Sequence, residues 1–211
     1  MVSRLIPAAN CRLCPRLAAF RQKNTTANPD WHNAPVPSFG DDDAKILIVG
    51  LAPGLKGANR TGRPFTGDYA GDLLYPTLLK FGLAEGTYDE RADDGLALIG
   101  CRITNAVRCV PPQNKPTGPE VKTCRDFLSK EINGLKSLRI ILSLGVVAHN
   151  AVMAVFGEKL SARKFKHASV HNLPNGMTVV DSYHCSRYNT NTGRLTPAMF
   201  HQVFKKIKAL G

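Results

Sequence analysis

No run of eighteen apolar residues occurs in the 211-residue chain, so no segment is long enough to cross a bilayer as an apolar helix. A secretory leader is missing too. The opening MVSRLIPAANCRLCPRL is broken by Arg, Asn and Pro before an apolar stretch of useful length accumulates. With neither feature, a cytoplasmic protein with no membrane partner is expected. Acidic residues are scarce: sixteen Asp and Glu face 28 Lys and Arg, a formal charge of +12. Such an excess suggests a polyanion, nucleic acid ahead of a membrane surface; a charge that serves only solubility is the plain alternative. Internal repeats and low-complexity tracts are absent as well. What remains is ordinary: 43% apolar residues, and length for one domain with a full core rather than two. Nothing signals dimerisation, so a monomer is expected.

The chain changes character near Lys45. Residues 1–43 hold Cys11 and Cys14, Asn and Pro punctuation and the run Asp41-Asp42-Asp43; they read as an irregular N-terminal extension of a single domain, 1–211, too poor in apolar residues for a core of its own. KILIVG then ends at Gly50 and reads as a buried strand. Further strands are expected within 96–106, 138–144 and 177–182, with helices over 71–81, from Pro119, after Gly145 and from Pro197. Strands alternating with helices predict an α/β fold, a three-layer α/β/α arrangement around a mainly parallel four-stranded sheet. Such sheets bind ligands at the carboxyl ends of their strands. The loops at 50–69, 104–118 and 182–194 all follow strands and are expected to meet on one edge.

Six cysteines are unlikely to form a disulfide framework in a reducing compartment. Cys11 and Cys14 form CxxC, and Cys109 and Cys124 lie in loop-rich sequence with fourteen residues between them. Four thiolates suffice for a [4Fe–4S] cluster or a tetrahedral zinc site, and spacing does not separate the two; four unrelated buried thiols are the bland alternative. Cys101 reads as a small core residue. Cys185 lies in a candidate site loop but has no evident base to make it a nucleophile.

Four motifs carry a resemblance: GLAPG (50–54), NRTGRPFTGD (59–68), ITNAVRC (103–109) and SYHCSRYNTNTGRLT (182–196). Together they resemble the uracil-DNA glycosylase superfamily, most closely its family 5, or type B, over nearly the whole chain. The resemblance implies an α/β/α fold, a [4Fe–4S] cluster held by Cys11, Cys14, Cys109 and Cys124, and excision of uracil and other deaminated bases from double-stranded DNA. Other branches carry an acidic or amide side chain in the first motif; Leu51, Ala52 and Pro53 offer none, and the type B pattern gives that role to the Asp of FTGD. Cys185 replaces the proline that usually follows the histidine.

N-glycosidic hydrolysis builds positive charge on the sugar and negative charge on the departing base. A carboxylate near the sugar, donors near the base and an aromatic face for a base out of its stack are the physical needs. Asp68 is the best carboxylate; on residues alone a helix cap is the commoner role, and with the resemblance it becomes the base toward water or the stabiliser of the sugar cation. His184 follows a strand directly and can donate to a base oxygen. Asn105 can read a uracil edge with one donor and one acceptor, and Asn114 can reach the sugar or the water; a turn role is the alternative for each. Asn189 is a further base or phosphate contact. Phe65 is the expected stacking platform, since a polar glycine loop is an unusual place for core burial. Gly50 and Gly54 are expected to let backbone amides approach a base or phosphate. Ser186, Arg187 and Tyr188 can enter the duplex where the base leaves, and Arg60, Arg63, Lys115 and Arg194 can bind phosphates. Lys205, Lys206 and Lys208 read as the wet face of the last helix. A non-catalytic metal-stabilised nucleic-acid-binding protein is the competing class, and an enzyme for free nucleotides a third; post-strand clustering of Asp68, Asn105, Asn114 and His184 is what mere binding does not require.

Overall fold

Short β-branched runs bounded by glycine set the frame. In the computed structural model, which describes residues 6–210, the strands are β1 (Phe39–Gly40), β2 (Ile46–Gly50), β3 (Ala84–Glu85), β4 (Ala97–Leu98), β5 (Cys101–Asn105), β6 (Ile140–Leu144), β7 (Val170–Asn172) and β8 (Thr178–Ser182). The helices are α1 (Pro15–Ala27), α2 (Ala58–Thr61), α3 (Tyr69–Lys80), α4 (Gly118–Gly134), α5 (Val146–Val155), α6 (Arg187–Asn191) and α7 (Pro197–Leu210), with a 3₁₀ turn at Pro112–Asn114. Among the described residues no helix is long and apolar enough to cross a membrane.

The main sheet runs β1-β5-β2-β6-β8-β7. Its four central strands are parallel, as expected. Two short strands extend it to six: β1 pairs antiparallel with β5 and β7 antiparallel with β8. Two and three residues long, these edges carry too little period-two pattern to be read from sequence. Alternation sorts the buried strand residues between two layers. Ile48, Ile103, Leu142 and Val180 face Leu74, Leu78, Phe200 and Phe204 of α3 and α7. Leu47, Val49, Ile141 and Val179 face Leu128 and Ile132 of α4 and Ala148 and Val152 of α5. Each such side chain contributes about 1.5–3 kcal/mol by leaving water, so a slip of one residue, exchanging the two sets, is strongly disfavoured. Register then aligns the strand ends: Gly50 lies opposite Asn105, and Leu144 opposite Ser182.

The expectation that 1–43 is irregular fails over α1. This helix has no apolar stripe, which is why periodicity did not show it. Specific contacts hold it instead. Leu17 is buried among Val107, Cys109 and Cys124, the Arg21 guanidinium donates to the carbonyls of Ala9 and Cys11, and Arg16 pairs with Glu120 of α4 at 2.7 Å. Pro15 starts the helix without wasting an N–H.

Candidate active site

The loops after β2, β5 and β8 meet, as expected, around a cavity of about 990 Å³, and the loop after β6 joins them. Its walls include Gly54, Asp68, Asn114, His184, Asn189 and the run Ser186-Arg187-Tyr188.

Asp68 takes the cap role that its sequence position allowed. It is the N-cap of α3, with Oδ1 accepting from the Ala70 N–H at 3.1 Å. The same carboxylate faces the cavity. Two glycines make that placement possible: a Cβ on Gly54 would lie 2.8 Å from Oδ2, and one on Gly57 would sit 2.7 Å from the Asp68 Cβ. Gly54 thus makes room for a carboxylate. Burial pushes the Asp68 pKa up, partly offset by the N–H groups of Ala70 and Gly71.

His184 follows β8 after Tyr183 and lines the same cavity. Desolvation alone lowers its pKa to about 4, so the ring is neutral at pH 7. The loop is tied by its own side chains. Asn189 donates from its amide to the His184 carbonyl at 2.8 Å, and Ser186 caps α6 by accepting from the Asn189 N–H. One Asn189 amide N–H therefore holds the histidine loop, and the residue also lines the cavity. Cys185 is fully buried, with its thiol pKa pushed up by burial and by Asp68, which suits a packing role.

Behind this wall lies a tight group. Phe65 is only 6% exposed and packs in the core between the sheet and α3, so the expectation that its glycine loop keeps it from burial is corrected. Its backbone takes a positive φ of 55°, which turns the ring inward, stacked on His184 with centroids 5.8 Å apart. Gly50 lets this happen: any Cβ there would overlap the Phe65 ring and the Asn105 amide oxygen. Asn105 is buried, and its Oδ1 has no hydrogen-bond partner. A buried acceptor left unmet costs about 1–3 kcal/mol.

Lys56, Arg187 and Arg194 line the cavity; Arg60 and Lys115 are exposed on the loops after β2 and β5, and Arg187 lies over the Tyr69 ring at 5.9 Å. Tyr188 is 71% exposed. Arg63 is not part of this surface. It is 4% exposed, bonded to both Asp94 oxygens at 2.8 and 2.6 Å, and ringed by Phe39, Tyr75 and Tyr88. Its assignment to phosphate binding is withdrawn: the guanidinium anchors the Phe65 loop, and it holds Asp94 well below the usual carboxylate range. Sequence reasoning also missed Lys56, Gly57, Tyr69, Phe165 and the Leu144–Val147 wall. The strand-then-glycine pattern before Gly145 was the available signal for the last.

Cys11, Cys14, Cys109 and Cys124 converge on one small cavity closed by Leu17, Val107 and Phe127. Burial raises the thiol pKa of Cys109 to about 12 and pushes the Cys124 thiol up, so their thiolates need a cationic partner. The donor set fits a metal group. Among the described residues no three of these sulfurs lie within 4.8 Å of one another. One tetrahedral zinc holds its sulfurs about 3.8 Å apart, from Zn–S distances of ~2.3 Å. The arrangement is wider than that.

A parallel α/β sheet with a carboxylate, an imidazole and an unmet amide at its strand ends defines the class, and sequence comparison agrees with it. A model of the uracil DNA glycosylase superfamily matches residues 37–208, and the chain belongs to that superfamily. Within it, the chain is 46% identical over 206 residues to a type-5 uracil-DNA glycosylase of Thermus thermophilus, covering 95% of this chain and 93% of the relative. It is 40% identical to a type-5 uracil-DNA glycosylase of Pyrobaculum aerophilum, covering 99% and 91%. A type-4 uracil-DNA glycosylase of the same organism is 35% identical over 71% of this chain and 63% of its own length.

Proposed function

We propose that the chain is a base-excision repair glycosylase that hydrolyses the N-glycosidic bond of uracil, and of other deaminated bases, in double-stranded DNA and leaves an abasic site. The observation that carries this reading is the placement of Asp68 and neutral His184 on the walls of one cavity. Water oxygen bonds to the sugar C1′ while the C1′–N bond breaks and its electron pair leaves with the base; the base ends with a proton and the water loses one. Asp68 takes the water proton and balances charge on the sugar. His184, neutral, donates a hydrogen bond where charge grows on the base. Asn105 reads the base edge with its unmet oxygen and its N–H₂, Phe65 backs the base, and Asn114 orients sugar or water. Tyr188 and Arg187 enter the duplex in place of the extruded base, while Arg60 and Lys115 hold phosphates. A cavity of about 990 Å³ has room for purines as well as pyrimidines. It lies at the large end of the ~300–1,000 Å³ range of ligand pockets.

Cys11, Cys14, Cys109 and Cys124 would hold a [4Fe–4S] cluster, which when bound cross-links the N-terminal segment to the β5–α4 connection. The whole chain then acts as one domain, with α1 docked through that link. Duplexes carrying uracil, hypoxanthine, xanthine or thymine opposite each base, followed by alkali, test the activity. Strand breaks at uracil that vanish in Asp68→Ala are expected; intact uracil duplex with cluster-loaded protein would refute it. A brown protein absorbing near ~400 nm, as thiolate-bound iron implies, is expected; stoichiometric zinc without iron rejects the cluster.

A further inference from the structure

Away from the sulfur cavity, His149 of α5, His171 of β7 and Asp181 of β8 form a buried cluster. His149 is fully buried and has an acceptor at each ring nitrogen. Nδ1 lies 2.8 Å from Asp181 Oδ1, and Nε2 lies 2.7 Å from the Arg163 carbonyl. A carbonyl oxygen only accepts. A neutral imidazole has one N–H, so either tautomer would turn a lone pair toward an oxygen. Beside an ionised Asp181, both contacts are satisfied together only by the doubly protonated ring. Asp181 takes a second hydrogen bond through Oδ2 from His171 Nε2 at 2.9 Å, and the Arg163 guanidinium turns away to Glu158. Asp181 and His171 are thus the titratable groups that face the ring. Burial works against the His149 charge, but Asp181 and the Arg163 carbonyl outweigh it, and its pKa is raised.

The Arg163 carbonyl belongs to the segment 157–169, which joins α5 to β7. This segment reaches the active-site cavity. Phe165 lines it, with its ring edge-on to His149 at 5.7 Å and 6.1 Å from Tyr183. His167 accepts from the Tyr183 N–H at 3.1 Å and stacks on that ring. Tyr183 immediately precedes His184 and also lines the cavity.

We infer that His149 is a positioning residue for the excision reaction: as an imidazolium it clasps Asp181 to the Arg163 carbonyl, and so holds Phe165 and Tyr183 as the pocket wall beside His184. This rests on the cavity being the base pocket. The sign of its pH dependence follows from a raised folded pKa. The clasp is complete below the ordinary histidine range and is lost as pH rises through the folded pKa.

Two measurements test it. In wild-type protein labelled with ¹⁵N-histidine, both His149 nitrogens should carry protons at pH 6; a neutral ring, or a nitrogen bound to metal, overturns the inference without any variant. In kinetics on uracil duplex, His149→Leu should raise KM roughly tenfold, the scale of a small misplacement in a site, with a smaller change in kcat, and should flatten the alkaline fall of wild-type kcat/KM. His149→Gln, which keeps donors, should recover part of the KM. An unchanged KM and pH profile in His149→Leu overturns the inference. Failure of the wild type to release uracil at all would instead reject the glycosylase reading, and the nitrogen spectrum would still decide the protonation of His149.

Discussion

The Asp68 carboxylate occupies the space that a side chain on Gly57 would fill. A Cβ built on Gly57 lies 2.8 Å from the Asp68 Cγ, closer than van der Waals contact allows. Gly57 precedes α2, and Asp68 caps α3, so two loop ends of one connection are fitted to each other through the absence of a single methyl.

Gly57→Ala should therefore behave as a catalytic lesion although it removes no functional group. The carboxylate must shift, and misplacement of about 1 Å can cost on the order of a hundredfold. Single-turnover uracil release should fall by that order with duplex affinity retained; full activity would show that the Asp68 position does not matter.

Substitution at Asp68 separates its two roles. Asp68→Asn keeps a good cap and removes the base, and should lower the rate about 10²–10⁴-fold while leaving the melting temperature equal or higher. The sign follows from a raised pKa: at neutral pH the ionised, buried form is the costly one. Asp68→Ala loses the cap as well and should cost about 1 kcal/mol of stability. A variant pair with identical denaturation midpoints would rule out the cap.

Arg63 and Arg187 should part company. Asp94→Asn leaves the Arg63 guanidinium buried without its charge partner, which should cost about 3–5 kcal/mol, read by urea denaturation. Arg187→Ala should leave stability nearly unchanged. It should instead reduce the slope of log affinity against log salt by about 0.9, the contribution of one phosphate contact. The reverse pattern would put Arg63 back on the DNA surface.

Acid should weaken the fold through His184. Its pKa falls from the ordinary histidine value to about 4 on folding. The stability this neutral ring contributes is present above the unfolded pKa and is lost as pH drops through the folded one. Between about pH 6.5 and 4, His184→Asn should thus lose less stability than wild type. Equal acid sensitivity in calorimetry would mean that the ring is solvated.

Much of this was legible in order along the chain. The strands in KILIVG, LRIILSL and MTVVDS, each apolar and β-branched, followed by glycine or polar loops, are enough to specify a parallel sheet with its ligand edge. The TGD and SYH motifs pointed to Asp68 and His184 on that edge, and the cysteine spacing to the separate sulfur cavity. The α1 helix escaped because it lacks periodicity and is held by Arg21, Arg16 and Leu17. The edge strands escaped because they are two and three residues long.

The layer order and the ends of the four central strands are legible in local pattern, because they depend on spacing along one chain. Burial of Arg63 against Asp94 while Arg187 faces solvent, the inward turn of Phe65 at positive φ, the bond from one Asn189 N–H to the His184 carbonyl and the acceptors at both His149 nitrogens arise only in the folded chain. Each of these rests on partners brought together from distant positions or by unusual backbone angles, and charge, burial and protonation are properties of that assembled neighbourhood rather than of a residue type.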